Sequence, residues 1–145
     1  MPLLEHYQDE WEKDAPFDLS KLDEESRNVC ILHARWWKYY TTERLRFKKL
    51  DYEYKAMYQL RMEYWNGRLD DVVRKEHGWP VQPLKVLSPQ LPIYLDADSV
   101  LQDINKKRIY VEEVLRFLED VIKAINHRNY TLSTALGFLK FKMGV

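Results

Sequence analysis

Basic and aromatic side chains are interspersed through one stretch of this sequence, between residues 44 and 68. Lysine and arginine suit phosphate groups, and aromatic rings stack on nucleobases, so the combination is typical of a surface for single-stranded nucleic acid. The candidate nucleic-acid-binding residues are Arg44, Lys48, Lys49, Lys55, Tyr58, Arg61, Trp65 and Arg68. For most of these charges the competing explanation is a helix face that is simply solvated.

Helical spacing separates the basic residues into groups. With about 100° per residue and Arg61 as the origin, Arg44, Lys48 and Lys55 fall between about 100° and 140° and so form one flank. Arg61 itself falls in the middle of an apolar stripe, where a charged group needs a partner. Two interpretations therefore stay open for Arg61, a phosphate contact at an exposed helix end or a structural ion pair.

An ion pair at Arg61 would need an acid from elsewhere in the chain or from another subunit. Asp70 and Asp71 follow closely in the sequence and are candidates. The aromatic residues near Arg61 raise a similar choice between stacking on bases and packing in a core. They are Tyr52, Tyr54, Tyr58, Tyr64 and Trp65. Periodicity favours the core for Tyr54 and Tyr64 and leaves Tyr58 and Trp65 open.

Recognisable enzyme signatures are missing from the sequence. The four glycines, at positions 67, 78, 137 and 144, form no phosphate-binding loop, and no Cys/His spacing is typical of zinc. Cys30 and His33 would be neighbours on a helix, but they lie beside an apolar stripe, which favours a packed thiol. We therefore predict a protein that is not an enzyme and needs no metal or cofactor.

A long helix must position the basic and aromatic residues. The stretch from Ser20 to Asn66 has no Gly or Pro, Asp18 or Ser20 can cap its start, and Asn66-Gly67 is a favourable helix end. A shorter amphipathic helix is predicted over residues 3–13, where Leu4, Tyr7 and Trp11 share a face.

The centre and the C-terminal third differ from this pattern. Four prolines between residues 78 and 98 predict a linker without helix, with one or two edge strands at most. A helix then starts at Asp98-Ser99, is expected to break at residues 126–129, and is followed by a last helix capped by Thr131. Both are too apolar to stand alone in water, so they must pack on the long helix or on other copies. The candidate oligomerisation residues are Leu101, Ile104, Val111, Leu115, Leu118, Ile122, Ile125, Leu136 and Leu139.

Charge is distributed unevenly along a chain whose net charge is zero. Residues 26–68 carry ten basic and four acidic side chains, whereas residues 1–25 carry nine acidic and two basic ones. Such asymmetry indicates a polyanionic partner or association between unlike segments. The lone cysteine fits a reducing compartment, and no apolar run approaches the roughly 20 residues of a membrane span. We expect no secretion signal and no membrane contact.

The predicted fold class is mainly α, with a long basic N-terminal helix, a Pro-rich central linker with little strand, and C-terminal amphipathic helices that form an oligomer. The predicted regions are a helical DNA-binding region at 1–77, the linker at 78–98 and an oligomerisation region at 99–145, which together are expected to form one compact unit. The alternative function is a helical assembly or adaptor protein that does not bind DNA.

Five segments together resemble the UvsY family of phage recombination mediators. They are residues 10–14 (EWEKD), 17–22 (FDLSKL), 60–68 (LRMEYWNGR), 85–88 (KVLS) and 95–102 (LDADSVLQ). Each motif alone is short, but their order and spacing match the family along nearly the whole chain.

The resemblance implies a homo-oligomeric ring, a hexamer or heptamer, that binds single-stranded DNA. It implies that the ring loads a RecA-like phage recombinase onto DNA covered by single-strand binding protein, in the cytoplasm of the bacterial host. In the family a basic pair is linked to DNA binding; Arg61 matches its arginine, but Gln59 stands at the lysine position, so Lys55 is a candidate substitute. The C-terminal region is linked to oligomerisation.

Overall fold

Five α-helices account for most of the computed structural model, which describes residues 2–82 and 84–145. They are α1 (Pro2–Asp14), α2 (Leu22–Trp65), α3 (Asp71–Glu76), α4 (Leu91–Asp96) and α5 (Ser99–Met143). A single 3-10 turn at Ser88–Gln90 precedes α4, and the described residues contain no strand. The predicted helical fold and the position of α1 are confirmed, while α2 begins slightly later than its predicted caps.

The chain forms two compact units. The first comprises the chain up to Leu45 together with Val111–Val145, and the second comprises Arg46–Tyr110. The boundaries fall inside α2 and α5, so each long helix contributes to both units.

In the first unit, polar side chains at the end of α1 fasten it to α2. Trp36 is fully buried, and its indole nitrogen donates a hydrogen bond of 3.0 Å to a carboxylate oxygen of Asp14. The guanidinium of Arg35 also pairs with Asp14 and, at 3.2 Å, with Glu10. The Tyr39 hydroxyl donates to the same Glu10 carboxylate at 2.6 Å. These acids of the N-terminal segment therefore serve the packing of α1.

Arg128, on α5, also binds the end of α1. It is 6% exposed, and its guanidinium donates to the backbone carbonyls of Asp14, at 2.7 Å, and Ala15, at 3.0 Å. These carbonyls lie at the end of α1, where helical carbonyls lack partners within the helix. The Arg128 guanidinium also lies 4.9 Å from the centre of the Phe17 ring.

The predicted helix break at residues 126–129 is wrong, because α5 continues through it to Met143. The sequence Asn-His-Arg-Asn has weak helix propensity, but tertiary contacts override such preferences. The buried arginine of this stretch supplies such a contact. The predicted last helix is therefore the end of α5, and Thr131 lies inside that helix.

In the second unit, the core is formed where the central segment meets α2 and α5. Its buried members are Val86, Leu91, Leu95 and Leu101, with Tyr54, Met57, Met62 and Trp65 packed against them. The prediction that prolines exclude a helix from residues 78–98 is wrong. Pro89 and Pro92 are the second residues of the 3-10 turn and of α4, where the backbone N–H has no partner within the helix and its loss costs little. The suggested edge strands are absent from the described part of this segment.

The predicted end of α2 at Asn66-Gly67 is confirmed. Gly67 has a φ of +78°, and the backbone N–H of Arg68 donates to the carbonyl of Glu63 at 2.9 Å, which closes the helix. A Cβ at Gly67 would lie 2.9 Å from Cγ of Lys85, so the side chain of Lys85 crosses this turn.

Replacing Gly67 with Ala should lower the free energy of unfolding by about 1–2 kcal/mol for the left-handed backbone, and further because Lys85 must shift. Gly78→Ala is the matched control: its φ is +68°, but a Cβ there meets no atom within 4 Å. Urea denaturation followed by circular dichroism measures both variants. Equal losses in the free energy of unfolding of the two variants would show that the contact with Lys85 carries no cost.

Candidate nucleic-acid interface

Three predicted DNA-binding residues on α2 are exposed cations that form no ion pair with the described acidic side chains. Arg44, in the first unit, and Lys48 and Lys49, in the second, all have exposed side chains. None of the three forms an ion pair with a residue in the described ranges. A positive charge without a protein counter-ion can accept a phosphate without first giving up a partner.

Lys55 is exposed but has an acidic partner. Its Nζ lies 2.9 Å from one carboxylate oxygen of Asp51, and Arg108 donates to the other oxygen at 2.8 Å. The hydrogen bond from Lys55, supported by that from Arg108, holds the pKa of Asp51 below its usual value. Because an exposed ion pair of this kind contributes little to stability, a phosphate can compete for Lys55.

Arg61 lies inside the protein rather than on its surface. It is 7% exposed, and its Nε donates to Oδ2 of Asp98 at 2.6 Å. Its guanidinium also lies 4.5 Å from the ring centre of Tyr64 and 4.6 Å from that of Trp79. Of the two interpretations that the sequence left open, the structure shows the structural ion pair.

The acid that pairs with Arg61 is not one of those suggested by the sequence. Asp98 lies 37 residues away, whereas Asp70 accepts from the backbone of Val72 and caps α3. Asp98 was recognised in the sequence only as the start of a helix. Periodicity showed that Arg61 needs a partner, but no local pattern could join residues so far apart.

The Asp98 carboxylate has several donors besides Arg61. Oδ2 also accepts from the indole nitrogen of Trp65 at 2.8 Å, and Oδ1 accepts from the backbone of Val100 at 2.9 Å and caps α5. Burial alone would raise the pKa of Asp98, but the hydrogen bonds from Arg61 and Trp65 outweigh it and hold that pKa below its usual value. We call Arg61, Trp65 and Asp98 the Arg61–Asp98 junction.

The remaining predicted DNA-binding residues differ in exposure. Trp65 is half-buried, and its ring centre lies 5.5 Å from that of Tyr64 and 5.3 Å from that of Tyr94. Tyr58 is 38% exposed and lies beside the Tyr54 ring. Arg68 is exposed just past the end of α2. Of the predicted DNA-binding residues, Arg44 in the first unit and Lys48, Lys49, Lys55, Tyr58 and Arg68 in the second have exposed side chains.

The predicted oligomerisation residues also divide by exposure. Leu101, Val111, Leu118, Ile122 and Ile125 are buried within the single chain, and Ile104 and Leu115 are half-buried. Only Leu136 and Leu139, at 45% and 44% exposure, remain on the surface. Of the two alternatives that the sequence left open, the buried part of the stripe packs within the protomer. Contact of this set with other copies stays a prediction.

The end of α5 has an exposed apolar surface. Only Leu136 and Leu139 of this surface were among the predicted oligomerisation residues. Phe138, Phe141 and Met143 are 63%, 82% and 69% exposed. An open, largely apolar groove of about 540 Å³ lies beside it in the first unit, lined among others by Leu19, Leu22, Phe138 and Leu139. We call Leu136, Phe138, Leu139, Phe141 and Met143 the C-terminal apolar surface.

Sequence comparison identifies the group of proteins to which this arrangement belongs. The model of the family described as "Recombination, repair and ssDNA binding protein UvsY" matches residues 10–145. The chain belongs to the UvsY family. A curated relative, the "Recombination protein uvsY" of Enterobacteria phage T4, is 22% identical over 141 residues, covering 97% of this chain and 98% of the relative. The resemblance in the five sequence segments is thereby confirmed.

Solved structures of the UvsY family share the fold of this chain. A crystal structure of the bacteriophage T4 recombination mediator protein UvsY matches with a TM-score of 0.84 at 21% identity, over 96% of each chain. A second crystal form of the same protein matches with a TM-score of 0.82 at 22% identity. Membership places the chain among phage recombination and repair proteins. The family description names binding and no chemical reaction.

No cluster of three or more potential metal ligands is present among residues 2–82 and 84–145. Within those same ranges, none of the helices combines the length and the hydropathy that a membrane span requires.

Proposed function

We propose that this UvsY-family chain is a recombination mediator that binds single-stranded DNA as a homo-oligomeric ring. The observation that carries the proposal is the exposed pair Lys48 and Lys49, free of ion pairs with the described residues, in a chain whose family is described as binding single-stranded DNA. Arg44, Lys55 and Arg68 add further exposed positive charge. The site acts in the cytoplasm of the bacterial host.

The low number of free cations in one protomer requires several copies to act together. A protomer that neutralises two or three phosphates binds weakly, and salt screens it readily. A ring of six or seven copies raises the effective concentration of the remaining sites once one site has bound, so the assembly binds far more tightly. We therefore make the hexamer or heptamer part of the proposed function.

The C-terminal apolar surface is the part of the chain that suits assembly. Its side chains contact water in the single protomer, and monomeric soluble proteins rarely leave such neighbouring apolar groups uncovered. Another copy of the chain would bury them. Leu136 and Leu139 are thus the members of the predicted oligomerisation set that we assign to contacts between copies.

In the proposed mechanism, the ring holds the strand along a path set by its repeated cationic sites. The strand then adopts a spacing that differs from the one preferred by single-strand binding protein. This weakens the hold of the resident protein and favours nucleation of a RecA-like phage recombinase on the same strand. The ring itself performs no chemical step.

The double substitution Lys48→Ala/Lys49→Ala should weaken binding to an oligo-dT strand and make it less sensitive to salt. Losing two phosphate contacts per protomer reduces the slope of log affinity against log salt by about 1.4 for each protomer that contacts the strand, because each contact contributes about 0.7 on single strands. Fluorescence anisotropy at several salt concentrations, with a duplex as comparison, measures both effects.

The matched control is Lys106→Ala/Lys107→Ala, which removes two adjacent exposed lysines from α5 in the same unit. It should leave the affinity and the slope close to those of the unaltered protein. Equal losses in both variants would mean that the protein is attracted to DNA only by its general charge. If the folded, assembled protein fails to bind oligo-dT at low salt, the proposal fails and the adaptor alternative takes its place.

A further inference from the structure

Tyr52 is the most exposed tyrosine of α2. Its side chain is 70% exposed, compared with 38% for Tyr58 and 5% for Tyr64. Tyr54, Tyr58 and Tyr64 each contact another aromatic ring, but Tyr52 contacts none within residues 2–82 and 84–145. The face of its ring is therefore open to a ligand from solution.

The neighbours of Tyr52 on α2 are cations. Lys48 and Lys49 lie one turn before it and Lys55 one turn after it, spacings at which side chains are adjacent on a helix surface. The acid that precedes it, Asp51, is held by Lys55 and Arg108. Glu53 lies about 100° further round the helix than Tyr52. It is one turn from Lys49 but forms no ion pair with it in the structure. A flat ring and unpaired ammonium groups thus share one turn of exposed helix.

We propose that Tyr52 stacks on a base of the bound single strand while Lys48 and Lys49 contact the adjoining phosphates. This inference rests on the proposed function. It explains how the site distinguishes single strands from duplexes. Bases in a duplex are already stacked and paired, so their faces are closed to the ring. Stacking tolerates any base, because every base has a π-face.

The test compares Tyr52→Leu with Tyr52→Phe on two strands of equal length, an oligo-dT and an abasic strand with the same phosphates. Leucine keeps an apolar, helix-favouring side chain but has no ring, whereas phenylalanine keeps the ring. Tyr52→Leu should lose at least about fivefold in affinity for oligo-dT, because it loses the stacking of a ring on a base. Its affinity for the abasic strand should equal that of the unaltered protein.

Tyr52→Phe should bind both strands as the unaltered protein does, and the salt slope should be the same in all three proteins because the phosphate contacts remain. Light scattering and circular dichroism confirm that assembly and helix content are equal. If Tyr52→Leu binds oligo-dT as tightly as the unaltered protein, stacking is refuted while DNA binding stands. Equal losses on both strands would also refute stacking. Failure of the unaltered protein to bind either strand would refute the proposed function instead.

Discussion

Replacing Arg61 with Ala should lower the free energy of unfolding by about 3–5 kcal/mol, the usual cost of removing one partner from a buried ion pair. Arg61 and Asp98 are 7% and 3% exposed, so the substitution leaves the Asp98 carboxylate buried without its cation. The loss is large beside the total stability of about 5–15 kcal/mol that is typical of a domain. Urea denaturation followed by circular dichroism measures it.

Lys55→Ala is the matched control for Arg61→Ala. This substitution also removes the cation of an ion pair on α2, that of Lys55 with Asp51, but the side chain of Lys55 is 67% exposed. We expect a change of at most about 1 kcal/mol. The double substitution Arg61→Met/Asp98→Asn should recover much of the stability lost by Arg61→Ala, because it removes the unpaired charge and keeps a residue able to cap α5.

Lowering the pH should reduce the difference in free energy of unfolding between the unaltered protein and Arg61→Ala. The pKa of Asp98 is lowered in the folded protein, so its ionised form contributes stability that is present above its unfolded value of 3.8 and is lost as the pH falls through the folded pKa. In the variant, burial without the cation destabilises the same ionised carboxylate, and protonation relieves that cost. Unfolding curves at decreasing pH follow this convergence.

These measurements decide between the two roles that the sequence left open for Arg61. A variant that unfolds as the unaltered protein does, yet has lost DNA affinity and part of its salt slope, would show that Arg61 leaves Asp98 to contact phosphate. A large loss of stability, with DNA affinity retained by Arg61→Met/Asp98→Asn, would establish it as a structural residue.

The triple substitution Leu136→Gln/Leu139→Gln/Phe141→Gln should disperse the assembly and weaken DNA binding by about 10²- to 10⁴-fold, the range over which linked sites exceed single ones. The three side chains are 45%, 44% and 82% exposed in the protomer, so the fold should persist. Glutamine keeps good helix propensity. Multi-angle light scattering measures the assembly, and anisotropy measures the affinity.

A control variant should separate assembly from the general loss of surface apolarity. Val72→Gln/Leu87→Gln/Ile93→Gln changes three side chains of the second unit that are 64%, 68% and 69% exposed. This protein should assemble and bind normally. The assignment of the C-terminal apolar surface to self-association would be overturned if the α5 variant kept the full ring.

The sequence predicted the long helices where local signals agree. The stretch without Gly or Pro became α2, and Asn66-Gly67 ended it, because both depend on the backbone preferences of the residues themselves. The continuation of α5 past residues 126–129 was missed because Arg128 is held by carbonyls more than a hundred residues earlier. α4 was missed because proline disfavours a helix interior but suits its first turn.

The candidate site was also predicted only in part: positions on the helix were predicted, and tertiary partners were not. Spacing along α2 was enough to single out Lys48 as a surface residue, since exposure follows helical periodicity. It also showed that Arg61 lies on the apolar side. It could not supply Asp98 as its partner or Trp79 as a neighbouring ring, since both come from segments whose positions depend on tertiary packing.

The contacts made by the end of α1 determine how the role of the acidic N-terminal segment can be studied. Removing residues 1–25 is a simple way to ask whether their negative charge competes with DNA. Yet the deletion would also remove the carbonyls of Asp14 and Ala15 that bind Arg128, and the carboxylate that accepts from the buried Trp36. A truncated protein would therefore report a damaged fold together with a changed charge. Neutral replacements of the exposed Asp9 and Glu12 alter the charge alone.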